Sequence, residues 1–214
     1  MTGLLDAILV MLILTSFLLL GSSRLGACIR IGALQGIMVG LIPVAASGAD
    51  ITARILAIGA AIIGLKGFVF PRLLTWALRD SDTSSELKPF VGYTASLLAG
   101  IASLVASFWL ASKLDLAAGA SSQLVVPVAF SMMMTGLFLI VARRLAVNQV
   151  IGYLVIENGI YVFGLAVARD VPVLVELGVL MDVFVAVFVM GIAIYRINRE
   201  FDHIDSDQLT TLRG

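Results

Sequence analysis

Three ionisable residues stand where their neighbours are apolar: Lys66 in "GLKGFVFP", Glu157 in "GYLVIENGIYVFG" and Asp182 in "LMDVFVAV". Carboxylates and amines take up and release protons, and each costs about 2.5–3.5 kcal/mol to hold at the centre of a membrane helix. Burial disfavours the charged form of either group, and an opposite charge nearby favours it. Movement of charge at one such site therefore shifts the preference at the next, and the groups titrate as a set. The chemistry these residues can do is a proton relay. The competing reading is structural: Glu157 a buried acid held by Lys66 or a tyrosine, Asp182 a second structural acid, and Lys66 snorkelling to the membrane surface.

Polar spacing around Glu157 says how the cost is contained. Gln149, Tyr153, Glu157 and Tyr161 recur every four residues and so share one helical face. Asn148 and Asn158 lie to one side of it, and Val150, Ile151, Leu154, Val155 and Val162 take the opposite surface. Such a stripe points a hydrogen-bonded carboxylate into protein or a wet cavity, not into lipid. Glu176 precedes Asp182 at a different azimuth and nearer the outer boundary, where it can be solvated. Lys66 is flanked by Gly64 and Gly67, and Pro71 follows. Proline removes a backbone donor and loosens a helix around it, so a lysine there can bend toward a cavity or a carboxylate.

The elements that must position these residues are membrane helices. Of 214 residues, 60% are hydrophobic and 13% charged, with mean hydropathy +1.08; a soluble domain carries about a quarter charged residues. Fourteen basic and fourteen acidic residues cancel, so no basic surface suggests nucleic acid. One cysteine, Cys28, excludes an internal disulfide and a cysteine-ligated cluster held by this chain alone. One histidine, His203, lies in the polar tail, so no metal site is expected. The opening "MTGLLD" has no basic residue and contains Asp6, unlike a secretory signal, and reads as the start of a retained span.

A span needs about 20 mostly apolar residues. About seven stretches qualify, at Leu4–Gly21, Leu25–Ala46, Ile51–Leu74, Phe90–Ala111, Leu124–Ala142, Ala146–Ala168 and Val171–Tyr195. The expected fold is therefore an all-α integral membrane bundle, because lipid forces backbone groups to be satisfied within each helix. One set of connections receives Arg24, Arg30, Arg72, Arg79, Lys88, Arg143, Arg144, Arg196, Arg199 and Arg213; the other receives Arg54, Lys113 and Arg169. That bias predicts the N-terminus outside and the C-terminus inside. The polar connections "RDSDTSSELKP" and "SKLDLAAGASSQ" divide the chain. Residues 1–78 form a three-helix segment, 79–123 a linker with the fourth span, 124–196 a second three-helix unit and 197–214 a polar tail. In the second span Gly32, Gly36 and Gly40 make a bare face that admits another helix closely.

The stretches "VIGYLVIENGIYVFGL" and "VLVELGVLMDVFVAVFVMG", with the ending "DSDQLTTLRG", resemble component E of hydrogenase-4, a family of the membrane arms of formate hydrogenlyase and related group 4 nickel–iron hydrogenases. The last three spans also resemble the K subunit of bacterial respiratory complex I and the C subunit of Mrp antiporters. In the K subunit two membrane-embedded glutamates on consecutive helices belong to a lateral chain of ionisable groups; the first corresponds to Glu157 and the second falls near Asp182. The four N-terminal spans match the longer component E pattern.

The resemblance implies a non-catalytic membrane-arm subunit, with Glu157, Asp182 and Lys66 relaying protons or Na+ between antiporter-like and core membrane subunits. It implies a prokaryotic inner membrane, a soluble hydrogenase arm as a further partner, and nickel–iron and iron–sulfur centres in partner chains. Two alternatives stand beside it: a scaffold that docks membrane subunits and carries no ions, and a component of an Mrp-type Na+/H+ antiporter.

Overall fold

Leucine, isoleucine, valine and alanine dominate every long segment, and with no competing solvent their backbones close on themselves as helices. In a computed structural model, residues 2–47, 51–79, 91–114, 122–143 and 146–167 are described, with Gly178 and Gly191 as isolated positions. The helices are α1 (Thr2–Gly21), α2 (Leu25–Ala46), α3 (Ala53–Ile62), a π-helical segment (Ile63–Val69), α4 (Phe70–Arg79), α5 (Tyr93–Lys113), α6 (Val125–Ala142) and α7 (Ala146–Val167). Five stretches among the described residues are long and apolar enough to cross a bilayer: Gly3–Gly21, Leu25–Ala46, Ala53–Trp76, Tyr93–Lys113 and Val125–Ala142. α7 equals α2 in length, at 22 residues, but carries the polar stripe. The chain is a multi-pass all-α membrane protein. Apart from Gly178 and Gly191, the expected span Val171–Tyr195, including Glu176 and Asp182, lies outside the described residues, as does the tail with His203.

α2 is the central helix, packed against α1, α3, the π segment, α4 and α7, and α6 packs most extensively on α7. Glycine sets the closeness of both contacts. A Cβ added at Gly40 would lie 2.6 Å from Ile63 Cγ1 and 3.0 Å from the Gly59 carbonyl oxygen; one at Gly136 would lie 2.5 Å from the Gly152 carbonyl oxygen. α5 turns small residues inward. Ser96, Gly100 and Ser107 are its buried positions, while Leu98, Val105 and Trp109 are exposed. Where lipid replaces water, association rests on close packing of small residues, and the large apolar side chains are left to the lipid.

Arg143 lies in the connection between α6 and α7, as the charge grouping expects, yet is buried. Its Nη2 donates to the Leu20 carbonyl oxygen at 2.9 Å, one of the last carbonyls of α1, where the helix dipole favours a cation. Its guanidinium also lies 5.2 Å from the centroid of the Tyr93 ring. This arginine ties α1, α5 and α6 together at one end of the bundle.

Candidate functional site

The third expected span is not one regular helix. Within Ile63–Val69 the backbone widens, and the Phe70 amide donates to the Leu65 carbonyl, five residues back. Pro71 supplies the cause: it has no amide to donate, and its ring collides with the carbonyl four residues earlier in a regular helix. An extra residue in the turn absorbs that conflict, a device found often at functional sites. Lys66 sits in the middle of the widened turn.

Its stem passes alongside α2. A Cβ added at Gly36 would lie 2.5 Å from Lys66 Cβ and 3.0 Å from the Lys66 carbonyl carbon, so only glycine at 36 lets the two backbones approach this far. Gly40 makes the equivalent approach to Ile63, whereas a Cβ at Gly32 would meet nothing within 4 Å. Gly32 instead lines a cavity of about 10 Å³ with Lys66, Phe70, Pro71 and Leu154, at the lower limit for one water.

Beyond α2 the lysine reaches α7. Lys66 Nζ donates to Glu157 Oε1 at 2.9 Å and to Asn158 Oδ1 at 3.2 Å. The ion-pair side chains are 7% and 5% exposed. Residues 91 apart in sequence thus form a buried ion pair with a neutral acceptor beside it. Glu157 Oε2 and the Tyr161 hydroxyl, one turn apart on the same face, are buried without a hydrogen-bond partner among the described residues. Tyr153 and Gln149 are half-buried, and Asp182 lies outside the described residues.

α7 is more central than its stripe alone suggests. Val150, Ile151, Val155 and Val162 are buried too. Val150, seven residues before Glu157, shares the stripe's face rather than the opposite surface. Ile151 and Leu154 line the cavity beside Lys66, and α6 closes on α7 through Gly136, Gly152 and Gly159. Sequence reasoning left Asn158 at the margin, yet it is the second acceptor for Lys66. It passed over Gln35, which is fully buried and donates to Thr15 Oγ1 and Ser16 Oγ, each at 3.1 Å. The available signal was an amide inside the second span, directly before Gly36.

Residues 124–214 match the family model described as NADH-ubiquinone/plastoquinone oxidoreductase chain 4L, a segment that includes Glu157 and Asn158 but not Lys66. An uncharacterized protein of Mycobacterium tuberculosis is 32% identical over 204 residues, covering 94% of this chain and 92% of that one. Proteins described as hydrogenase-4 component E from Escherichia coli and Shigella flexneri are each 32% identical over 151 residues, covering 70% of this chain and 69% of theirs. No solved structure matches.

Proposed function

Because the chain belongs to the hydrogenase-4 component E family, membrane subunits of complex I-like hydrogenases, we propose that it serves as one station of a lateral ion relay in such a complex. The observation that carries this reading is the buried Lys66–Glu157 pair, with Asn158 as alternative acceptor. An ion pair sealed from water is a poor way to stabilise a fold, since desolvation of two charges offsets their attraction. It is a good way to hold a proton that can be handed on, because the pair has a neutral form without net buried charge. The match of the chain 4L family over the segment containing Glu157 supports the same reading.

On this reading the ion is a proton or Na+, Asp182 is a further station, and the neighbours are antiporter-like and core membrane subunits. The membrane is a prokaryotic inner membrane, with the N-terminus outside and the C-terminus inside. The subunit contributes to an oxidoreductase complex without supplying its redox centres. With Cys28 as its one cysteine, its donor set does not fit a cysteine-held cluster, and the nickel–iron and iron–sulfur centres belong to partner chains including the soluble hydrogenase arm.

The test is Glu157→Gln in the assembled complex, with assembly verified by native electrophoresis. Ion translocation per turnover in inverted vesicles is expected to collapse while the subunit stays in place. Normal translocation would sink the relay and select the scaffold reading, in which the pair merely joins the π segment to α7.

A further inference from the structure

We propose that the outward side of the widened turn is a binding site for an anionic phospholipid. It consists of a groove of about 460 Å³ lined by Gly67, Phe68, Pro71, Arg72, Thr75 and Trp76. These residues fall on two neighbouring helical rows. Gly67, Pro71 and Thr75 recur every four residues and carry little bulk, and the Thr75 hydroxyl donates to the Pro71 carbonyl oxygen at 2.6 Å. Phe68, Arg72 and Trp76 recur every four on the adjacent row and stand out from it, Phe68 61% and Trp76 45% exposed. A low row beside a high one makes a trough. From Gly67 to Trp76 it runs about 14 Å along the helix axis, close to the ~15 Å hydrocarbon depth of one leaflet.

The two ends of the trough differ in chemistry. Gly67 and Phe68 offer apolar surface for an acyl chain. Trp76 ends the membrane-spanning stretch Ala53–Trp76, at the level where tryptophan meets lipid headgroups. Arg72, one turn deeper, is exposed and forms no ion pair among the described residues. Its planar guanidinium matches two oxygens of a phosphate. An apolar helix of another subunit seated here would bury that cation without a counter-charge. An anionic lipid supplies the charge with its headgroup while its chain fills the trough. Pro71 lines both this groove and the small cavity beside Lys66, so the bound lipid packs on the proline that widens the lysine's turn. The site stands whether or not the Lys66–Glu157 pair moves ions.

Photolabelling of the purified assembled complex in phosphatidylcholine vesicles tests this. Two trace probes with the same photoreactive acyl chain are compared, one phosphatidylglycerol and one phosphatidylcholine, and labelled peptides are mapped by mass spectrometry. Within residues 67–76 the phosphatidylglycerol probe should label about fivefold more, the preference expected of one basic residue near an anionic headgroup. Arg72→Gln should bring the two probes to parity, and Arg72→Lys should keep most of the preference. Equal labelling in wild type overturns the proposal, as does an undiminished preference in Arg72→Gln. So does a segment that neither probe reaches while a photoreactive phenylalanine at position 68 cross-links to another subunit. If Arg72→Gln does not assemble, the wild-type ratio decides alone.

Discussion

A double-mutant cycle on Lys66 and Glu157 separates what the pair does for the fold from what it does for transport. Both side chains are almost fully buried, so neither charge is relieved by water when its partner goes. Lys66→Met leaves a carboxylate beside Asn158, with Oε2 already lacking a partner among the described residues; Glu157→Gln leaves the ammonium with two neutral oxygen acceptors. Breaking a buried pair from one side costs about 3–5 kcal/mol, whereas replacing both partners by neutral groups of similar size is often neutral or stabilising. Lys66→Met should therefore lower stability by about 3–5 kcal/mol, Glu157→Gln by somewhat less because its amide oxygen still accepts, and the double variant by under about 2 kcal/mol. That is a coupling energy of at least about 3 kcal/mol, at or above the upper end for residues in contact. Denaturation midpoints in mixed micelles measure it. Translocation in the same three variants should be lost throughout, including in the double variant that regains stability. Additive single effects, with coupling below about 0.5 kcal/mol, would refute the buried pair; a double variant that still translocates would refute the relay.

Three further outcomes concern particular positions. Gly36→Ala forces a Cβ to within 2.5 Å of Lys66 Cβ and should cost about 1–3 kcal/mol of overpacking strain, with impaired translocation because Lys66 is displaced from Glu157. Gly32→Ala, with open space around it, should leave both stability and translocation near wild type; equal effects at the two positions would contradict the packing described for α2. Arg143→Lys removes the planar group over Tyr93 and the donor to the Leu20 carbonyl, and a thermal melt should report a loss of about 1–3 kcal/mol. An unchanged melt would mean that this end of the bundle is held by other contacts.

What the sequence discloses follows from what membranes penalise. Long apolar runs must be helices, so the spans up to Ala142 are visible from composition alone, and the stripe on α7 from a period of four. Facing is harder. Val150 and Val162 on α7 are as apolar as Val105 on α5, yet the first two are buried and the third is exposed. Lipid and protein interior are equally apolar, so hydrophobicity cannot distinguish them; residue size does better, as the small inward residues of α5 show.

Polar partners are harder still. Arg143 follows the last residue of α6, in a connection as expected, but its partner comes from the end of α1, which provides a carbonyl and a dipole to neutralise it. A carboxylate partner for Lys66, Glu157 among the choices, is legible in the residue types, but their meeting depends on an offset that no periodicity encodes. Pro71 widens the turn, the widened turn rotates Lys66 relative to a regular helix, and Gly36 clears the path to α7. Each of the three residues is ordinary in its own helix. A lysine with a proline five residues on, facing a glycine on one neighbour and a Glu-Asn pair on the next, is a constellation that exists only once the helices are packed. Its consequence is that the site can be lost by substitutions far from any charge, with Gly36 the most exposed to that failure because its missing side chain is what admits the lysine.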